Sequence, residues 1–201
     1  MLNEDGSLLT IGVLALQGSF AEHIAALKKC KVNTREVRLP SDIEGLSGLI
    51  IPGGESTAIR TLLQVSGLDK AIIKAKDKGL KFFGTCAGAI LLSSKIEGES
   101  NYSFGFIGAV VSRNAYGRQL YSFEKEFDIK NIGKFNVIFI RAPKILYVGK
   151  DVEILARDGR DIILAENDSC LIATFHPELT GDLRIHKYFI NKISKNKNAK
   201  K

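Results

Sequence analysis

The chain is poor in cysteine. Cys30, Cys86 and Cys170 are an odd number, widely separated, with no C-x-x-C among them. That argues against a disulfide framework and a thiolate zinc site, and for a reducing compartment, the cytoplasm. No apolar run reaches the roughly 18 residues a membrane span requires. Residues 1–7 are acidic and polar, unlike a secretory signal. Acidic residues are missing from the C-terminal end, where none follows Asp182, while Lys192, Lys195, Lys197, Lys200 and Lys201 crowd the same stretch. Without those five lysines the formal charge falls from +7 to +2, so the basic balance describes a solubilising tail rather than a nucleic-acid site. Histidine is scarce too: only His23, His176 and His186 could act as an imidazole base.

What remains is an ordinary globular composition, 45% hydrophobic and 25% charged over 201 residues, enough for one α/β domain with a full core. Leu8 to Leu16 is a continuous apolar run and reads as a buried strand. Ser19 with Glu22 three residues on forms a capping box for a helix to about Lys29, with Phe20, Ile24 and Leu27 on its apolar face. Further strands follow at Val32–Val37 and Gly48–Ile51, then helices over Thr57–Val65 and Leu68–Lys78, then a strand into Cys86. This alternation predicts a mostly parallel sheet with helices on both faces. Residues 96–125 are rich in Gly, Ser, Asn and Tyr, with one short strand near Gly108–Ser112. Phe135–Ile140, Asp151–Ala156, Asp161–Ala165 and Cys170–Phe175 are closely spaced strands that predict antiparallel pairs appended to the sheet. A last helix over Leu183–Ser194 turns Ile185, Phe189 and Ile193 inward. With no repeat and no linker, residues 1–201 read as one domain, residues 1–7 and about 195–201 being peripheral.

One stretch carries chemistry more openly than the others. Gly84-Thr85-Cys86-Ala87-Gly88 has the G-x-nucleophile-x-G spacing of a nucleophile elbow with Cys in place of Ser, between an apolar strand and an apolar helix. Small neighbours permit the sharp turn, and the following helix N-terminus offers N–H donors that favour a thiolate and an oxyanion. The same pattern also fits a buried Cys at an ordinary βα turn. A catalytic Cys needs a base. His23 and His186 fall within helices, where an exposed or capping His is the ordinary explanation. His176 ends a strand, is held extended by Pro177, and has Glu178 two residues on, on the same side of an extended segment. Such an acid fixes the imidazole tautomer, the third role of a triad. The order Cys, His, acid is not that of α/β-hydrolases, and the papain-like signature is missing. The N–H of Ala87 and the glycine loop Pro52-Gly53-Gly54-Glu55-Ser56, through Gly54, are candidates for the oxyanion donors, while Ser56 alone reads as an N-cap for the next helix.

Gly84–Gly88 with His176-Pro177-Glu178 resembles the class I (triad) glutamine amidotransferases. Gly12-Val13-Leu14-Ala15-Leu16-Gln17-Gly18, Pro52–Thr57, Arg113-Asn114-Ala115-Tyr116-Gly117-Arg118-Gln119, Phe139-Ile140-Arg141-Ala142-Pro143 and Phe175–Leu179 narrow the resemblance to the glutaminase subunits of pyridoxal 5′-phosphate synthase, in order from about residue 10 to 190. The resemblance implies a three-layer, flavodoxin-like α/β sandwich and hydrolysis of L-glutamine to glutamate and ammonia. It implies Cys86 as nucleophile, His176 and Glu178 completing the triad, and Gly54, Glu55, Ser56, Arg113, Ile140 and Arg141 around the substrate. It implies no cofactor and no metal. It further implies a ring-building synthase subunit as hetero-oligomeric partner, with the free glutaminase poorly active until docked through segments such as 96–125 and 141–150. Ala89 and Ala58 depart from the family pattern without touching a catalytic atom. Two other readings stand beside this one: a glutaminase serving another pathway, such as imidazole glycerol phosphate synthesis, and a cysteine hydrolase or non-catalytic module on a similar sheet.

Overall fold

The computed structural model describes residues 9–99, 103–113 and 122–198. The first half alternates as its apolar periodicity predicts. β1 (Thr10–Leu14) leads to α1 (Phe20–Lys29), β2 (Asn33–Val37), β3 (Gly48–Ile51), α2 (Ser56–Ser66), α3 (Leu68–Asp77), β4 (Lys81–Thr85) and α4 (Ala87–Leu92). The second half is mainly strands: β5 (Ser93–Ile96), β6 (Ile107–Ser112), β7 (Ser122–Ile129), β8 (Gly133–Ile140), β9 (Lys144–Val148), β10 (Glu153–Asp158), β11 (Asp161–Glu166) and β12 (Cys170–Ala173), closed by α5 (Arg184–Asn198).

Among the described residues, the main sheet has ten strands in the order β2-β1-β3-β4-β12-β11-β9-β6-β5, with β10 paired to β11. β2, β1, β3, β4 and β12 are mutually parallel. β11 joins β12 antiparallel and begins the mixed half. Strand side chains alternate between faces, and the core divides accordingly. Leu49, Ile51 and Phe82 pack with α2, α3 and α4 on one face. Ile50 and Phe83 pack with α1, α5 and the β7–β8 hairpin on the other. Phe82 and Phe83 are both fully buried. Each such side chain contributes about 1.5–3 kcal/mol by leaving water. The result is the three-layer α/β sandwich that the alternation predicts.

Several local expectations need correction. Ser19 sits at the N-cap of α1 but makes no side-chain cap bond. Its hydroxyl instead donates to Glu178 Oε1 at 2.6 Å. Phe135–Ile140 does not join the main sheet. It lies in β8 and, among the described residues, pairs only with β7, part of which falls in the stretch expected to be loop. β7 is masked in the sequence by charge, because Glu124, Glu126 and Asp128 occupy its outward positions while Phe127 and Ile129 are buried. β5 and β9 were not anticipated, and β9 occupies half of the 141–150 segment expected as a docking surface. β12 is not simply part of an antiparallel add-on: it pairs parallel to β4 on one side and antiparallel to β11 on the other. α5 runs on to Asn198, and Lys192 ion-pairs with Glu166 at 2.9 Å, so that lysine belongs to the folded body rather than to a tail. Residues 114–119 of the Arg113–Gln119 string lie outside the described residues.

Candidate active site

The residues singled out in the sequence converge at one end of the parallel half. Gln17, Gly53–Gly54, Cys86 and His176 follow the C-terminal ends of β1, β3, β4 and β12, which are consecutive in the sheet. This is where ligands bind in open α/β sheets. Ladder register sets the geometry: Ile51 lies opposite Gly84, and Ala173 lies opposite Thr85. The Cys86 N–H then donates to Ala173 O at 2.8 Å, carrying β4 pairing up to the nucleophile.

Cys86 has φ 48° and ψ −104°, a backbone conformation rare for a residue with a Cβ. Holding such a residue there costs on the order of 1–3 kcal/mol, which the surrounding elbow must supply. The flanking glycines permit it through close approach rather than through unusual dihedrals. A Cβ on Gly84 would lie 2.6 Å from the Gly88 carbonyl, and one on Gly88 would collide with the Ile51 carbonyl oxygen. The thiol faces the Ile140 carbonyl oxygen at 3.9 Å, so the end of β8 lies over the nucleophile. Arg141, next in sequence, is exposed and has φ 45°.

His176 Nδ1 donates to Glu178 Oε1 at 2.7 Å. The contact expected from an extended His-x-Glu is made differently: Pro177–Leu179 is a short 3-10 turn, which curls the carboxylate back beneath the ring. The His176 N–H donates to Ile138 O at 2.9 Å, fixing the segment against β8. Burial opposes a charge on His176, but its hydrogen bonds to Cys86 and Glu178 outweigh that, and the imidazole is raised to about 10. Burial likewise works against the Glu178 carboxylate. The neighbouring His23, His176 and the Ser19 hydroxyl overcome it and hold Glu178 down to about 2. An imidazolium–carboxylate pair beside the thiol is the arrangement that nucleophilic catalysis requires.

His23 and His186 are not the exposed or capping helix residues expected. Both are fully buried. His23 Nε2 lies 3.1 Å from Thr85 Oγ1 and 3.3 Å from Glu178 Oε2, and His23 Nδ1 lies 3.0 Å from His186 Nε2. A signal was present in the sequence: His23 lies three residues after Phe20 and four before Leu27, and His186 three before Phe189 and four before Ile190. Both are therefore on the apolar stripes of their helices. Ser19 carried no comparable signal, because its partner Glu178 is 159 positions away.

The glycine loop lies directly against this group. A Cβ on Gly53 would meet the His176 ring and lie 3.3 Å from Cys86 Cβ, whereas Gly54 packs against the Gln17 side chain. Gln17 Oε1 accepts from the Glu55 N–H at 2.9 Å, an anchor not anticipated from the sequence. Glu55, not Ser56, caps α2, accepting from the Thr57 and Ala58 N–H groups at 2.9 and 2.6 Å. Those backbone donors hold its carboxyl below the usual range. Arg113 reaches the same corner: its guanidinium donates to Glu55 at 3.1 Å, to Thr57 Oγ1 at 2.9 Å and to Glu99 at 3.2 Å. Ser56 is buried as the first residue of α2. Glu55, Ser56 and Arg113 thus form one polar corner, and the Ile140 carbonyl lies beside the thiol.

Known proteins resemble this chain over most of its length. The SNO glutamine amidotransferase family matches residues 13–195. Pyridoxal 5′-phosphate synthase subunit PdxT of Pelotomaculum thermopropionicum is 49% identical over 186 residues, 92% of this chain and 95% of that protein. The protein of the same name from Pseudothermotoga lettingae is 50% identical over 184 residues, 90% of this chain and 94% of its own length. A crystal structure of a glutamine amidotransferase, 45% identical, superposes with a TM-score of 0.88 over 92% of this chain and 98% of that one. A family match over most of the chain, together with relatives near 50% identity, settles the affiliation: the chain belongs to the SNO glutamine amidotransferase family.

Proposed function

We propose that this chain is the glutaminase subunit of a pyridoxal 5′-phosphate synthase, with Cys86, His176 and Glu178 as its catalytic triad. The observation that carries the assignment is the pairing of a strained elbow thiol with an imidazolium held by a buried carboxylate. Cys86 Sγ attacks the side-chain carboxamide carbon of L-glutamine, and the carbonyl π electrons move onto oxygen. The N–H groups of Ala87 and Gly54 receive that oxyanion. His176 delivers its proton to the nitrogen, the C–N bond breaks, and ammonia leaves a γ-glutamyl thioester on Cys86. His176 then takes a proton from water, whose oxygen attacks the thioester, and glutamate departs as the thiolate returns.

Glu55, Ser56, Arg113, Ile140 and Arg141 line the glutamine site in this reading. A guanidinium suits the substrate α-carboxylate through paired, charge-assisted hydrogen bonds, and the Glu55 carboxylate suits its α-ammonium. The ammonia passes to a ring-building synthase subunit in a hetero-oligomer, in the cytoplasm. Ammonia release from glutamine, measured with and without that subunit, tests the assignment. Turnover rises with the partner and disappears in Cys86→Ala. Full turnover in that variant, or indifference to the partner, refutes it.

A further inference from the structure

We propose that His23, locked by His186, is a positioning residue for the triad carboxylate, its Nε2–H holding the second oxygen of Glu178 from the side opposite His176. The inference rests on the triad reading above. Glu178 Oε1 is well served, receiving His176 Nδ1–H at 2.7 Å and the Ser19 hydroxyl at 2.6 Å. Oε2 is shut away from water and accepts no aligned hydrogen bond. The cationic or donor group facing it is His23 Nε2 at 3.3 Å. A carboxylate oxygen this deeply buried is repelled by a nitrogen lone pair and attracted by an N–H.

That requirement fixes both tautomers. With the proton on His23 Nε2, the N–H lies between Thr85 Oγ1 and Glu178 Oε2, and Nδ1 is left as an acceptor. His186 must then donate its Nε2–H across the 3.0 Å contact, leaving its own Nδ1 as a bare lone pair, which has no partner. The reverse assignment sets a lone pair against the carboxylate and also orphans an N–H on His186. Burial holds His23 below its ordinary value and takes His186 down to about 3, so both rings stay neutral and can serve as fixed donors. The groups facing His23 are Glu22 of α1, Phe83 and Thr85 of β4, His186 of α5, and Glu178 with His176. Two buried imidazoles are a costly way to fill a core that Leu or Phe would fill without loss of hydration. The ionic group within 3.3 Å of His23 Nε2 is Glu178. Thr85, within the elbow itself, ties the same ring to the strand that carries the nucleophile.

The test compares His23→Leu with His23→Gln in the full-length glutaminase, assayed with its ring-building partner. Loss of a donor to a buried charge lowers kcat roughly 10- to 100-fold while KM moves little. The acid limb of the kcat profile moves to higher pH in His23→Leu, since an unsupported carboxylate protonates sooner. His23→Gln, which presents an amide N–H near the position of Nε2, recovers most of the rate. An unchanged kcat and acid limb in His23→Leu overturns the proposal, as does a Gln variant no better than the Leu one. Should His23→Leu not fold, ¹⁵N NMR of the unsubstituted protein decides. Nε2 protonated and Nδ1 bare on both His23 and His186 supports the assignment, and a proton on His23 Nδ1 overturns it. That readout is independent of turnover, whereas full turnover in Glu178→Gln would sink the triad reading itself.

Discussion

Glu178→Gln isolates the electrostatics of the site in a measurable way. Its carboxyl lies at about 2 in the folded chain against an ordinary value of 4.5. At about 1.36 kcal/mol per unit this difference is on the order of 3 kcal/mol of folding stability. The side chain is fully shielded from solvent, so no discount for screening applies. Because the folded value is depressed, this stabilisation is complete above pH 4.5 and is lost as pH falls towards 2, with about 2 kcal/mol gone by pH 3. A glutamine keeps the shape but carries no charge and leaves His176 without its counter-ion. Urea unfolding of both chains at steps from pH 7 to pH 3 is the assay. The wild-type advantage shrinks by about 2 kcal/mol between pH 5 and pH 3 as the carboxylate takes up its proton. A constant difference across that window refutes the charged, hydrogen-bonded Glu178 described here.

Three further outcomes follow from the same geometry. Ser19→Ala leaves α1 intact, because the hydroxyl caps nothing, but removes the 2.6 Å donor to Glu178 and lowers kcat about tenfold. A large drop in unfolding temperature with normal kcat would restore the capping role. Gly88→Ala drives a Cβ into the Ile51 carbonyl, costing about 1–3 kcal/mol in thermal unfolding and displacing the nucleophile. Arg113→Lys keeps the charge but cannot span Glu55, Thr57 and Glu99 at once, so steady-state kinetics show a raised KM with a smaller effect on kcat.

The candidate site was legible in the sequence where its signals are local. The elbow glycines flank Cys86 directly, and Glu178 lies two residues from His176. The parallel half was legible because the apolar runs ending at Leu16 and Ile51 and the strand entering Cys86 are each closed by turn residues. What escaped was settled by partners distant in sequence. A Ser-x-x-Glu pattern predicts a capping box from local chemistry, yet a buried carboxylate competes for the same hydroxyl and wins, because a hydrogen bond to a desolvated charge is stronger than one to a helix-end amide. The lysine-rich end read as a tail until Glu166 was found beside Lys192. β7 was hidden because its outward charges resemble a solvated loop unless its partner β8 is known.

The wide sequence separation within the site has a consequence for the timing of synthesis. Ser19 and Glu178 are 159 positions apart and His23 and His186 are 163 apart, so the acid and its supports are made at opposite ends of the elongation process. At roughly 5–20 residues per second, Cys86 emerges several seconds before the strand that brings its base. Until β12 inserts beside β4, the thiol has neither His176 nor Glu178, and a nascent or truncated chain carries an unarmed cysteine. Assembly of the candidate site therefore waits on the C-terminal third of the polypeptide, which carries both His176 and Glu178.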